Sequence, residues 1–312
     1  MSDFTGQVLA WGIPRLRDLP WRRTRDPWAV LVSEVMLQQT QVARVIPKWE
    51  RFLERFPSVE LCAAAPLGDV LLEWQGLGYP RRARNLHDAA RRVAELGTFP
   101  RELDGLLALP GVGPYTARAV MAFAFELDAA VADTNIARLY ARVAGERLTP
   151  KRLQAIADDA CPSGQAWAWN QCLMDLGALL CRPTNPACGD CPVVGSCAWG
   201  SSGYVASPPS IPQDPPATIG RSWPDGSRSW HNSQLGDPAV GSSGVSGRQP
   251  RFEGSDRQAR GRLLKALSDG PVARRDAPAI MQRDDAVAAR LVQALVDERL
   301  CQTDRLTIRL PS

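Results

Sequence analysis

Cys181-Arg-Pro-Thr-Asn-Pro-Ala-Cys188-Gly-Asp-Cys191-Pro-Val-Val-Gly-Ser-Cys197 decides how the rest of the chain is read. Four thiols in the pattern C-x6-C-x2-C-x5-C can wrap one compact centre. A [4Fe–4S] cluster and a zinc ion held by four thiolates both satisfy that pattern. Zinc sites more often use two separate C-x2-C pairs, and here there is one. Pro183, Pro186 and Pro192 keep the segment out of helix, as a wrapping loop requires. The other cysteines, Cys62, Cys161, Cys172 and Cys301, lie in helical patterns or at their ends and read as core residues.

Outward from that loop, the chain's 312 residues suffice for about two domains. No apolar run approaches the roughly 18 residues of a membrane span. Met1 to Pro14 carries no basic cluster followed by an apolar stretch, so no secretory signal is read there. A cytoplasmic, nucleoid-associated protein with reduced thiols is the expectation. The net charge of +4 suits a polyanionic partner without demanding one. Lys48, Lys151 and Lys265 are the only lysines, and His87 and His231 the only histidines. A lysine nucleophile therefore has few candidates, and histidine-based catalysis or metal binding is nearly excluded.

The fold class read from periodicity is all-α for residues 1–200, with scarce strand signals. Asp26-Pro27 is an N-cap followed by proline at the first helical position. A helix is expected to run from there to about Ile46, with Pro47 starting another. Further helices are expected near 68–75, 80–96, 102–108, 114–126, 134–144, 150–160 and 166–180. Residues 201–250, dense in Ser, Gly and Pro, read as a disordered linker. Residues 251–312 recover order. Helical patterns at Arg257–Ser268, Ala277–Gln282 and Ala286–Arg299 precede an alternating Leu306-Thr-Ile-Arg-Leu310, which suggests a small winged-helix-like module.

Leu109-Pro-Gly-Val-Gly113 separates two helical patterns. Its two glycines allow a tight hairpin and the close approach of another backbone. The following helix begins at Pro114, so unpaired N–H groups there can take a phosphate oxygen. That contact fixes DNA position without reading sequence.

Two carboxyl groups sit in opposite settings. Glu34, inside Ser33-Glu-Val-Met-Leu-Gln-Gln-Thr40, neighbours Val30, Leu31 and Leu37 on the helical surface. A carboxyl among aliphatic side chains is expected to keep its proton and be able to donate it. Asp133 precedes Thr134-Asn-Ile-Ala-Arg-Leu-Tyr-Ala-Arg142 at an N-cap position, where helix N–H groups favour the ionised form. One neutral and one charged acid is the division of labour in glycosidic bond cleavage.

The cysteine loop follows an apolar helix containing Met174-Asp-Leu-Gly-Ala178, and together they resemble the iron–sulfur loop of the endonuclease III and adenine glycosylase family. Leu109–Gly113 resembles its helix-hairpin-helix. The Glu34 motif, Gly76-Leu-Gly-Tyr79, Asp133-x-Asn135 and Trp169-Asn-Gln-x-x-Met-Asp-Leu-Gly177 are similar to adenine DNA glycosylases of the mismatch-repair type. The resemblance covers about residues 15–200 and favours a [4Fe–4S] cluster on Cys181, Cys188, Cys191 and Cys197 over zinc. It implies a helix-hairpin-helix glycosylase domain that acts as a monomer on double-stranded DNA, removing adenine mispaired with 8-oxoguanine or guanine.

The same resemblance implies roles for individual residues. Glu34 would protonate N7 of the flipped adenine, and Asp133 would stabilise the oxocarbenium-like sugar and assist water. Asn135 and Tyr115 would orient the reacting centre. Arg17, Leu19, Trp21, Arg22, Gln171 and Met174 would line or border the adenine pocket. Gln38, Gln39 and Tyr79 would lie near the vacated stack, with Leu109, Gly111, Val112 and Gly113 on the DNA backbone. Flipping is required because the sugar–base bond is inaccessible inside a duplex. Endonuclease III relatives carry a lysine at the position of Tyr115 for a Schiff base, which a phenol cannot form. Base removal without efficient strand cleavage is therefore expected.

Pro80 departs from the tyrosine that many relatives carry after Gly-Leu-Gly-Tyr79. Residues 251–312 are too short for the NUDIX-like domain with which many relatives recognise 8-oxoguanine. A pyrimidine glycosylase on the same scaffold and a non-catalytic DNA-binding protein are the alternatives; the Glu34 motif counts against the first, and the pair Glu34 and Asp133 against the second.

Overall fold

A computed structural model describes residues 2–201, 236–244 and 251–312. In chain order its helices are α1 (Ser2–Gly12), α2 (Pro27–Leu37), α3 (Val42–Arg55), α4 (Val59–Ala64), α5 (Leu67–Glu73), α6 (Arg81–Leu96), α7 (Leu103–Leu107), α8 (Pro114–Phe123), α9 (Thr134–Ala144), α10 (Pro150–Ala160), α11 (Ala166–Leu179), α12 (Ala198–Ser201), α13 (Asp256–Leu267), α14 (Ala277–Met281) and α15 (Asp285–Asp297). Three short strands, β1 (Val272–Ala273), β2 (Gln302–Thr303) and β3 (Thr307–Arg309), lie near the C-terminus. Two compact units result, one of residues 1–17 with 126–247, the other of residues 18–125 with 248–312.

The second unit is built around α2. Asp26 caps this helix by accepting from the N–H groups of Trp28 and Ala29, and Pro27 occupies the first turn. Every residue from Trp28 to Met36 is buried, the signature of a helix enclosed by its neighbours. The indole of Trp28 donates to the Phe56 carbonyl at 3.0 Å, and that of Trp49 to the Ala29 carbonyl at 2.9 Å. Both large rings are thus buried with their polar atoms satisfied.

The helix expected to reach Ile46 stops at Leu37, and α3 begins at Val42 with Pro47 inside it. The cause is a distant side chain. Arg82 Nη1 donates to the carbonyls of Val35 at 2.8 Å, Met36 at 3.1 Å and Gln38 at 2.6 Å, satisfying the orphan end of α2. Its Nη2 reaches Thr40 Oγ1 and the carbonyls of Leu77 and Gly78. Burial pushes the Arg82 guanidinium down to about 10. Pro47 lies just past the first turn of α3, where its missing N–H forfeits one helical bond.

Residues 251–312 form a small module of three helices and an antiparallel sheet ordered β1-β3-β2. Ile308 in the middle strand faces Val272 on one side and Thr303 on the other. This part is fastened to the α5 and α6 helices of the same unit. Glu298 ion-pairs with Arg81 and Arg260, and Arg299 with Asp88. Arg84 donates to the Glu298 carbonyl at 2.8 Å, Gln75 to the Leu264 carbonyl at 3.0 Å, and Gly68 N–H to the Pro311 carbonyl at 2.9 Å. Burial pushes the Glu298 carboxyl up, but its two guanidinium partners outweigh that and hold it below the usual glutamate range.

In the first unit, α9 packs on α11, and α1 lies along α11. Gly177 permits the closest approach, since a Cβ there would come within 2.7 Å of Asn135 Cβ. Of the stretch expected to be linker, residues 202–235 and 245–250 lie outside the described residues. Residues 236–244 form turns held to this unit: Asp237 accepts from Arg142 at 2.6 Å, and Ser242 and Ser243 bond the backbone of Leu148 at 3.0 and 2.8 Å. Specific polar partners, together with the burial of Pro238 and Ala239, order this short piece.

Candidate active site and four-cysteine centre

The Glu34 carboxyl belongs to the second unit. Glu34 sits within α2 and is 5% exposed, flanked by Leu31 and Val35, both buried. Helix α2 packs on α8, which carries Tyr115 in its first turn. Leu19, Trp21 and Arg22, also of this unit, are buried around the short turn Pro20–Arg22, with the Trp21 ring edge-on to Trp49 at 6.1 Å.

Three loops of this unit gather around the first turns of α6. The loop after α2 holds Gln38 and Gln39, the latter at φ 56°, and Gln38 Nε2 lies 3.5 Å from Thr116 Oγ1. The turn at Gly76–Tyr79 is tied to Arg82, as above. The hairpin Leu109–Gly113 abuts Asn85: Gly111 has φ 76°, and a Cβ there would meet Asn85 Cβ at 2.6 Å. Only glycine satisfies both constraints. Leu109 and Val112 are buried and shape the hairpin from within. Gly113 is the N-cap of α8 with no side-chain cap, and Pro114 follows.

The Asp133 carboxyl belongs to the first unit, as the N-cap of α9. Its Oδ1 accepts from Ile136 N–H at 2.7 Å and its Oδ2 from Asn135 Nδ2 at 3.0 Å. Arg138 fixes that amide, with Nη2 donating to Asn135 Oδ1 at 2.9 Å. The same guanidinium donates to the carbonyls of Cys181 at 2.6 Å and Gly177 at 2.7 Å. The helix N–H groups were expected to favour the ionised form of Asp133, and they do act in that direction. Desolvation outweighs them, however, and holds the carboxyl above the usual aspartate range.

Asn170, fully buried on α11, positions the approach to Asp133. It accepts from Val131 N–H at 3.1 Å and donates to the Ala129 carbonyl at 2.9 Å. Arg17 is clasped by the buried Asp175 through its backbone N–H at 2.9 Å and its Nε at 2.7 Å. Gln171 is buried and Met174 half-buried on the same helix. Sequence reasoning missed Arg82, Arg138, Arg142, Asn170 and Asp175. The legible signal was Arg138 and Arg142 at i and i+4, two arginines on one side of a helix otherwise buried from Ile136 onward.

Cys181, Cys188, Cys191 and Cys197 line one cavity of the first unit, walled by Leu139, Val193 and Trp199. Turn hydrogen bonds place them: Cys191 N–H to the Cys188 carbonyl at 3.1 Å and Cys197 N–H to the Val194 carbonyl at 3.2 Å. Arg142, 1% exposed, donates to Cys181 Sγ at 3.3 Å and stacks its guanidinium 4.6 Å over the Trp199 ring. Among the described residues, no three His, Cys, Asp or Glu side chains close around a single-ion site. Burial pushes the Cys188 thiol up to about 11 and that of Cys191 to about 12. Cys62, Cys172 and Cys301 are buried elsewhere, as expected of core residues, while Cys161 is half-buried at the end of α10.

Residues 32–163 match the family described as "HhH-GPD superfamily base excision DNA repair protein". The chain is 37% identical to the adenine DNA glycosylase of Mycolicibacterium smegmatis over 96% of its own length and 94% of the relative's. The chain belongs to the adenine DNA glycosylase family. Within this family it is also 39% identical to the Homo sapiens protein, over 63% of this chain and 39% of that one. The mycobacterial alignment thus runs through the C-terminal module, whereas the human one covers a smaller share of the chain. Among solved structures, a thermostable thymine-DNA glycosylase superimposes with a TM-score of 0.61 at 32% identity, over 64% of this chain and 95% of that one. A trapped endonuclease III–DNA covalent intermediate does so with a TM-score of 0.56 at 25% identity, over 62% and 92%. This adenine DNA glycosylase family member therefore has the endonuclease III-like fold that its hairpin and cysteine loop predict. No helix among the described residues is long and apolar enough to cross a membrane.

Proposed function

We propose that the protein removes adenine mispaired with 8-oxoguanine or guanine from double-stranded DNA, by hydrolysing the N-glycosidic bond and leaving the strand uncut. The observation that carries this reading is Glu34, a carboxyl enclosed in a largely apolar helix, in a chain whose full-length relatives are adenine DNA glycosylases. Glu34 gives its proton to N7 of the extruded adenine, so the C1′–N9 electron pair leaves with a neutral base. Asp133, as a carboxylate held by Asn135, faces the positive charge that develops on the sugar. Water then adds at C1′, and its proton passes to Asp133. Tyr115 orients the centre and, lacking an amine, forms no Schiff base.

Arg17, Leu19, Trp21, Arg22, Gln171 and Met174 border the base pocket in this reading. Gln38, Gln39, Tyr79 and the Leu109–Gly113 hairpin contact the duplex. Cys181, Cys188, Cys191 and Cys197 hold a [4Fe–4S] cluster. Four thiols lining one cavity are the donor set such a cluster takes, and a cationic centre offsets the cost of ionising buried thiols. The cluster supplies structure to the loop and aids DNA binding. The protein works as a monomer, in the cytoplasm at the nucleoid.

The test is incubation with duplexes holding A opposite 8-oxoguanine, A opposite G, T opposite G, or thymine glycol, assayed before and after alkali. Breaks at adenine that appear only after alkali support the proposal. Release of a pyrimidine alone, or breakage without alkali, overturns it. The T opposite G arm matters because of the likeness to a thymine-DNA glycosylase.

A further inference from the structure

Tyr79 ends its turn at φ 49°, a left-handed conformation that is unfavourable for a bulky residue and persists only when neighbours enforce it. Two cations do so. Arg82 lies over the ring at 5.5 Å from α6, and Arg257 lies over it at 5.8 Å from the first turn of α13. Arg257 Nη1 also donates to the Tyr79 hydroxyl at 2.7 Å. The ring is therefore anchored at both ends, by its backbone and by its hydroxyl. Beyond Arg257, the guanidinium stacks 5.8 Å over Phe252, which is 57% exposed. The result is an aromatic–cation–aromatic patch. It stands beside the same turns of α6 that carry the Gln38–Gln39 loop and, through Asn85, the Gly111 hairpin.

A half-buried alternation of aromatic and guanidinium groups that ends in the exposed Phe252 matches the stacking faces and phosphates of a nucleic acid. We propose that Arg257 is a positioning residue for base extrusion: it holds Tyr79 as the wedge that fills the duplex stack when the target base leaves, and Phe252 extends that contact. The C-terminal module thereby contributes to base extrusion through its first helical turn. This inference rests on the glycosylase reading above, since a wedge has use only where a base must leave a stack.

Fluorescence of 2-aminopurine at the target position reports unstacking without any cleavage. Excision is then compared for adenine opposite 8-oxoguanine and adenine opposite an abasic site, where the stack is already open. R257A is expected to lose most of the fluorescence rise and to excise the paired adenine about tenfold more slowly, the scale of one lost charge-assisted hydrogen bond. Excision opposite the abasic site is expected to change by less than about twofold, because little stacking is left to break. R257K keeps a donor and restores most of the rise, whereas Y79F matches R257A, and the double variant loses little more. Unchanged fluorescence in R257A, equal slowing on both duplexes, or no rise with the wild-type protein overturns the inference. A wild-type protein that leaves adenine uncut, yet shows an Arg257-dependent rise, overturns the adenine reading and upholds this one.

Discussion

Arg138 holds the side-chain amide of Asn135 at 2.9 Å, while its Nε reaches the carbonyl of Cys181 at 2.6 Å. Because Asn135 in turn donates to Asp133, three hydrogen bonds run from the cysteine loop to the acid that caps α9. Removing Arg138 would release the Asn135 amide and leave buried carbonyls unsatisfied. Arg138→Lys is expected to lower the single-turnover excision rate by about ten- to a hundredfold, as one or two charged hydrogen bonds are lost. Single-turnover kinetics on A opposite 8-oxoguanine measure it; a rate within twofold of wild type would sink the idea.

The two acids are expected to fail differently from DNA contacts. Glu34→Gln removes the proton donor but keeps the shape of α2, and Asp133→Asn keeps an N-cap acceptor for α9. Each should slow excision by at least about a thousandfold while DNA affinity stays within severalfold. Excision rates and gel-shift affinities on one duplex separate the two effects. Parallel loss of both would place these residues in binding instead.

Asp133 also sets a pH dependence. Its role needs the carboxylate, and burial raises its proton affinity above the ordinary aspartate value of 3.8. Activity should therefore fall as pH drops through that raised value, a limb above that of a solvated aspartate. A kcat/KM profile tests it, and an acidic limb at the ordinary value would contradict the assignment.

Tyr115 can be turned into the missing nucleophile. Tyr115→Lys places an amine in the first turn of α8, beside the helix that carries Glu34. Borohydride should then trap a covalent protein–DNA adduct that the wild-type protein does not give. Absence of any adduct, with base release intact, would show that position 115 does not reach C1′.

Asp237→Ala should weaken the first unit. Arg142 is almost wholly enclosed, and Asp237 is its charged partner at 2.6 Å, itself partly exposed. Leaving a buried guanidinium with only carbonyl and thiol acceptors should cost about 2 kcal/mol, discounted for that exposure. Urea unfolding measures the change; an unaltered midpoint would show that the 236–244 turns add nothing.

Much of the helical order was legible because capping and periodicity are local. Asp26 and Asp133 cap α2 and α9 where their side chains predicted. The cysteine loop and the hairpin were legible because spacing and glycine pairs carry their own geometry. What escaped was non-local. The early end of α2 depends on Arg82, far along the chain, and no local breaker announces it. The raised proton affinity of Asp133 depends on what encloses it, whereas its sequence neighbours argue the reverse. The role of 236–244 rests on a single ion pair, a few backbone bonds and two buried small residues, signals that composition averages away. Helix α4, Val59–Ala64, is too short for a 3.6-residue period to declare itself.

Arg82 carries a further consequence. One guanidinium donates to both the 38–40 loop and the 77–78 turn, so neither can drift without disturbing the other. Insertions or deletions in either loop would be tolerated only alongside compensating change in its counterpart. Along a lineage, the two loops should be inherited as a matched pair, and swapping one alone between relatives should fail where exchanging both succeeds.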